Sequence, residues 1–176
     1  NIRREYLPEG NDAQTATPLA ALLAAMDERL SLMVGVAESK RVLGKPVEDM
    51  EQETRVLNSA VEGVKKEALR QGAVVPNEKA VRIFFKAQIE AAKSIQYRIL
   101  KGPAQMTDPP DLNAALRPAL GRISMKINRL ILELQKPDSD SGLISMAAHV
   151  KAHLAKHEIS EDILSAIDEG LRQLSE

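Results

Sequence analysis

A chain of 176 residues, 44% of them apolar and 28% charged, can bury one ordinary domain core and has the composition of a soluble globular protein. A net charge of −1 gives no basic field to attract nucleic acid, and no apolar run approaches the ~20 residues that cross a bilayer as a helix. The absence of cysteine excludes a disulfide scaffold, a thiol nucleophile and a thiolate-bound metal.

Aromatic residues are 2% of the chain and tryptophan is absent. Leu, Ala, Val, Ile and Met must then fill the core, which suits helix on helix. Residues 1–16 are polar, contain Pro8 and Gly10, and read as a flexible lead. The chain begins at Asn1 without Met, as a trimmed or processed chain does.

Thr17-Pro18 is a helix start, a hydroxyl cap followed by Pro at the first helical position. Leu19, Leu22, Leu23, Met26, Leu30, Met33, Val34 and Ala37 recur at helical spacing and predict one long amphipathic helix to about Leu43. Gly44 can end it in the left-handed region, and Pro46 prevents an immediate restart. A second helix is predicted from about Asp49 to Gln71, carried by Leu57, Val61, Val64 and Ala68 and ended by Gly72. Gly63 inside it costs up to ~1 kcal/mol relative to Ala, with no reason visible in the sequence.

Asn77 caps a third helix with Val81, Phe84, Phe85, Ile89, Ile95 and Ile99 on its apolar side, ended by Gly102-Pro103. Pro103, Pro109 and Pro110 make the next stretch a loop. A fourth segment runs from Asp111 to about Gln135, with Pro118 expected to kink or restart it. Residues 136–141 form a polar turn. Two shorter helices follow, Leu143 to Lys156 and Ser160 to Leu174. The fold class is therefore all-α, about six helices, with residues 17–176 as a single domain and three long N-terminal helices around an internal pocket.

The chemistry concentrates between Ala25 and Gln96. Arg29 and Lys40 are eleven residues apart, nearly a whole number of turns, which puts both on one face ~16 Å apart. Either could be an ordinary exposed charge, but Arg29 borders the apolar stripe of Met26, Leu30 and Met33. Asp49, Gln52 and Glu53 group on one face of the second helix. A charged first turn also explains acids there, though Glu53 less well than Asp49. Gln88, Ala92 and Gln96 form a row on the third helix. Two cations, two acids and amides facing one interior suit a small, hydroxylated dianion.

His149, His153 and His157 follow each other at four-residue spacing, and adjacent pairs could chelate zinc. No acid or thiol is arranged with them and Lys151 and Lys156 lie beside them, so they read as a titrating surface stripe and no metal site is expected.

The run ERLSLMVGVAESKRVLGKPVEDMEQE, followed by FFKAQIEAAKSIQ, resembles the AroQ-type chorismate mutases. The likeness is to the gamma subclass, which is monofunctional and exported, and it extends from Leu22 to Gln96. It implies rearrangement of chorismate to prephenate without cofactor or metal, in the periplasm or secreted, in a homodimer with each site inside one chain. By that resemblance Arg29 binds a substrate carboxylate, and Lys40 reaches a carboxylate and the ether oxygen. Glu53 accepts from the ring hydroxyl, to which the backbone near Asp49 donates. Gln96 donates to the ether oxygen, and Gln88 lies behind the site.

Two positions depart from the family pattern: Gln52 stands where Arg is usual, and Ala92 where a small polar residue is usual. A Gln keeps hydrogen-bonding capacity but not charge, and Arg55, one turn on, could swing back. A further cation is expected from the fourth helix. Alignment from Arg117-Pro118 gives Lys126, and a shift of one turn gives Arg129. Three rival readings are a degenerate relative that binds such an anion with little turnover, an isochorismate pyruvate-lyase, and a helical interaction module without an active site.

Overall fold

The structure, a computed structural model, describes residues 17–134 and 143–176. The N-terminal lead, the polar turn and the expected end of the fourth helix at Gln135 lie outside the described residues. Those residues form helices and no strand. In order they are α1 (Pro18–Ser31), α2 (Met33–Leu43), α3 (Met50–Gln71), α4 (Glu78–Lys101), α5 (Arg117–Leu134), α6 (Leu143–Leu154) and α7 (Glu161–Ser175).

The long first helix of the sequence reading is thus one rod broken at Leu32. The Ser31 hydroxyl donates to the Asp27 carbonyl at 2.9 Å, a back-bond that bends helices. The Leu32 N–H reaches only as far back as Arg29 and Leu30. The ends otherwise follow local chemistry. Thr17, Asp49, Asn77 and Ser160 accept from backbone N–H groups three residues on, each cap worth ~1 kcal/mol. Gly44 and Gly72 sit at φ +65°, where only glycine avoids a steric penalty.

Pro118 has its effect upstream. A π-turn, Leu112–Leu116, precedes α5, with the Leu116 N–H bonded to the Asp111 carbonyl at 3.0 Å. The wider turn gives room for a ring that would strike the carbonyl four residues back, and for its missing N–H.

α4 lies against α2, α3 and α7, while α5 lies against α1 and α3, and α6 against α1 and α7. One core runs through all of them, with Leu22, Leu23, Met26, Phe84, Phe85, Ile127, Ile131, Ile167 and Leu171 almost wholly buried. Phe84 and Phe85 meet edge to face, centroids 5.4 Å apart. Two glycines mark close approaches. A Cβ on Gly170 would sit 2.8 Å from Phe84 Cα, so α7 touches the α4 backbone. A Cβ on Gly63 would sit 2.5 Å from Asn128 Nδ2; the α3 glycine is there to admit the α5 amide.

Candidate active site

α2 and α4 run side by side, and α3 returns antiparallel to α4. Arg41 holds the first pair in register: it pairs with buried Glu38 at 3.3 Å and donates to the carbonyls of Ile99 and Gly102 at 3.0 and 3.1 Å. Ion pairs hold the second, Lys65 to Glu78 at one end and Lys93 to Glu53 at the other. The faces so joined carry most of the residues singled out in the sequence.

Arg29 is the strongest of them. Its Nε and Nη1 are buried and have no hydrogen-bond partner, and burial alone pushes its pKa down. One turn on, Met33 is buried, and its sulfur is 3.5 Å from Gln96 Nε2. A thioether is a weak acceptor, and Gln96 Oε1 has no partner at all. Gln88 is buried with Nε2 unpartnered. Ala92, between these amides, is buried and contributes only a methyl wall. Burying an unsatisfied amide N–H costs roughly 1–3 kcal/mol, so this group of unpaired donors calls for an acceptor from outside the chain.

Lys40 Nζ donates to the Val47 carbonyl in the corner between α2 and α3, at 3.2 Å. Burial lowers its pKa, and the charges of Arg117 and Lys45 add to that, against Asp49 and Glu53. Lys40 is therefore close enough to both acids and to Arg117 to feel their charge. Asp49 is the cap of α3 rather than part of its face: it is exposed, and Oδ1 accepts from the Gln52 N–H at 3.0 Å. Only Glu53, buried to 8% exposure, turns inward from this turn. Gln52 is half-buried, and Oε1 accepts from Arg55 Nε and Nη2 at 3.3 and 3.0 Å. Arg55 thus folds back over Gln52.

Both cations expected from the fourth helix, Lys126 and Arg129, are exposed. Ile123 and Ile127 are inside, as the register required, but that turns Lys126 outward. It is exposed and lines a surface hollow with Glu28, Leu32 and Arg122. Arg129 is exposed on the α3 side, where its charge reaches Glu67. Arg117, at the first position of α5, is exposed as well, and its Nη1 donates to Asn113 Oδ1 at 2.7 Å; its charge is felt at Lys40. Lys93 was also not foreseen; it reads as one more helix lysine until α3 is laid against α4.

The histidine stripe is corrected too. His149 is exposed, and His153 Nδ1 lies 2.9 Å from the His149 carbonyl. His157 leaves that face, with Nε2 2.7 Å from Asp27 Oδ1 and 11% of its side chain exposed. The 3₁₀ turn at Ala155–His157 rotates it toward α1, so the three rings do not converge.

No family model matches the chain. A curated relative, the secreted chorismate mutase of Yersinia pestis, is 31% identical over 153 residues, which cover 85% of this chain and 77% of that protein. The crystal structure of the secreted chorismate mutase from Yersinia pestis superposes with a TM-score of 0.72 at 30% identity, over 86% of this chain and 95% of that one. The chorismate mutase from Burkholderia thailandensis shares the fold at a TM-score of 0.65 and 24% identity, over 90% and 99% of the two chains. That from Burkholderia phymatum does so at 0.66 and 22%, over 90% and 96%.

Proposed function

This chain belongs to the AroQ-type secreted chorismate mutases, and we infer that its interior site rearranges chorismate to prephenate. The reaction is a one-step pericyclic shift, so the protein has to supply conformation and electrostatics alone. The flexible enolpyruvyl arm must be held over the ring. Negative charge growing on the ether oxygen must meet donors that are already in place. The relationship favours this reading over the pyruvate-lyase, the non-catalytic binder and the interaction module.

The observation that carries the site assignment is at Arg29, whose Nε and Nη1 are buried without a partner. A buried cation without a counter-ion is costly, and a substrate carboxylate would relieve it. Lys40 spends one proton on Val47 and keeps two, for a carboxylate and for the ether oxygen. Gln96 is the second donor to that oxygen, since its Nε2 faces only a sulfur. Glu53 accepts from the ring hydroxyl, with the N–H groups that follow Asp49 beside it. Gln88 supports Gln96 from behind, and Ala92 shapes the wall. Arg55, held by Gln52, and Arg117 supply cationic charge at the mouth, in place of an Arg at position 52 and of Lys126 or Arg129.

Residues 17–176 act as one domain, a reading supported by the single core that reaches from α1 to α7. The protein works outside the cytoplasm, in the periplasm or the medium, as a homodimer with each site inside one chain. Light scattering on a sizing column and cell fractionation test these two points. The activity is tested by incubation with chorismate. Its absorbance should decay while prephenate accumulates; decay with release of pyruvate, or no decay, would refute the assignment.

A further inference from the structure

Lys93 is a lysine with 12% of its side chain exposed, enclosed by acids from three places. Its Nζ is 2.9 Å from Glu53 Oε1 of α3 and 3.1 Å from Glu90 Oε1 of its own helix. A third contact, at 3.4 Å, is to Glu48 Oε1 in the corner before α3. Burial opposes its charge, but the bonds to Glu53 and Glu90 outweigh burial and raise its pKa above the ordinary lysine value. Lys86 adds a looser contact to Glu53, at 3.8 Å, from a side chain that is 47% exposed.

The geometry on Glu53 is the informative part. Both of its oxygens are buried; Oε1 lies 2.9 Å from Lys93 Nζ, while Oε2 has only Lys86 Nζ, at 3.8 Å. Its charge is offset by Lys93 while Oε2 keeps its acceptor directions open. That is what a carboxylate needs if it is to receive a hydroxyl from a substrate that is itself a dianion. An uncompensated carboxylate would repel the substrate, and one fully hydrogen-bonded would have nothing to offer it.

We propose that Lys93 is a positioning residue for the reaction: it fixes the Glu53 carboxylate against α4 and offsets part of its charge toward the substrate. This rests on the reading of Glu53 as acceptor of the ring hydroxyl. Lys93 touches no reacting atom and acts only through Glu53. Its loss should therefore be felt mainly in KM, through the repulsion it unmasks, and less in kcat.

The test is a set of variants assayed on chorismate: Lys93→Gln, Lys93→Met, Lys93→Arg, Lys86→Gln, Glu53→Gln and the double variant Lys93→Gln/Glu53→Gln. Lys93→Gln should lower kcat/KM about tenfold, as expected for a charge-assisted contact, mostly by raising KM. Lys93→Arg should stay within about threefold of wild type, and Lys86→Gln within about twofold. In the Glu53→Gln background, Lys93→Gln should cost less than about twofold, because the partner it acts through is gone. Lys93→Met keeps the buried stem and serves if the Gln variant does not fold.

The proposal is overturned if Lys93→Gln or Lys93→Met leaves kcat/KM unchanged, or if the cost is as large without Glu53. It is also overturned if Lys86→Gln costs as much, since the effect would then be a general field. If Glu53→Gln is itself harmless, the reading of Glu53 fails and the proposal with it. A wild-type protein that forms no prephenate would instead overturn the function.

Discussion

At Arg29 stability and activity oppose each other. Two nitrogens of its guanidinium, Nε and Nη1, are buried without a partner, which costs the empty protein and serves a bound carboxylate. Arg29→Met should therefore lose tenfold to a hundredfold or more in kcat/KM, from ~2–3 kcal/mol of charge-assisted contact. Its melting temperature should not fall, and scanning calorimetry beside steady-state kinetics checks both. The pH profile is a second consequence. Gln96 has no proton to lose, so activity should stay nearly flat from about pH 5 to 8. Lys40 must be charged, and burial with Arg117 nearby lowers its pKa. The alkaline fall should then come below the ~10.4 of an ordinary lysine. Gln96→Glu should add a fall as pH rises through the carboxylic acid range, because only the protonated acid donates. Gln52 already carries Arg55, which swings back onto its Oε1. Gln52→Arg should raise kcat/KM, by less than the tenfold that ~1.4 kcal/mol would give, because it displaces Arg55 by repulsion. The gain should shrink at high ionic strength; an equal loss on Arg55→Ala would show that Arg55 already supplies the charge.

Between elements, two glycines that look alike in the sequence do different things. At Gly170 an added methyl meets the Phe84 backbone at 2.8 Å, and neither helix can yield locally. Gly170→Ala should cost ~1–3 kcal/mol as overpacking. At Gly63 the obstacle is the Asn128 amide, a side chain that can swing. Gly63→Ala also gains up to ~1 kcal/mol of helix propensity, so its net effect should be close to zero. Thermal denaturation of the two variants, with Gly170→Ala clearly the less stable, checks this account of the α4–α7 and α3–α5 contacts.

Across the whole molecule, the corner between α6 and α7 is tied to both earlier layers. Arg98 of α4 donates to the His157 carbonyl at 2.8 Å. Asp27 of α1 holds Lys156 at 2.6 Å and His157 at 2.7 Å. Partial burial pushes Asp27 up, but the bonds and charges of Lys156 and His157 outweigh it and lower its pKa. A folded-state pKa below the unfolded one gives stability that is present above the ordinary carboxylate value, ~3.9, and lost as pH falls through the folded value. Asp27→Asn should melt about 2–4 °C lower near neutral pH, roughly 1 kcal/mol in a chain of this size. The gap should close below about pH 4, and melts of both proteins across pH read it directly.

What the sequence determined by itself was whatever is set within a few residues. The caps at Thr17, Asn77 and Ser160, the stops at Gly44 and Gly72 and the apolar spacing follow from the local backbone and one helix face. So does the placement of Arg29, Gln88 and Gln96 on inward faces, because 3.6-residue periodicity alone puts them beside the stripe. The tertiary structure decided whatever depends on what lies opposite. Lys93 has meaning only once α3 brings Glu53 to it, and Gly63 only once α5 brings Asn128. Arg117 is brought to Lys40 only once the turn before α5 packs against α2, and His157 meets Asp27 only once the corner between α6 and α7 packs against α1. A residue's own chemistry limits the partners it can take, but the partner comes from another helix 13 to 130 positions away, and only packing selects it.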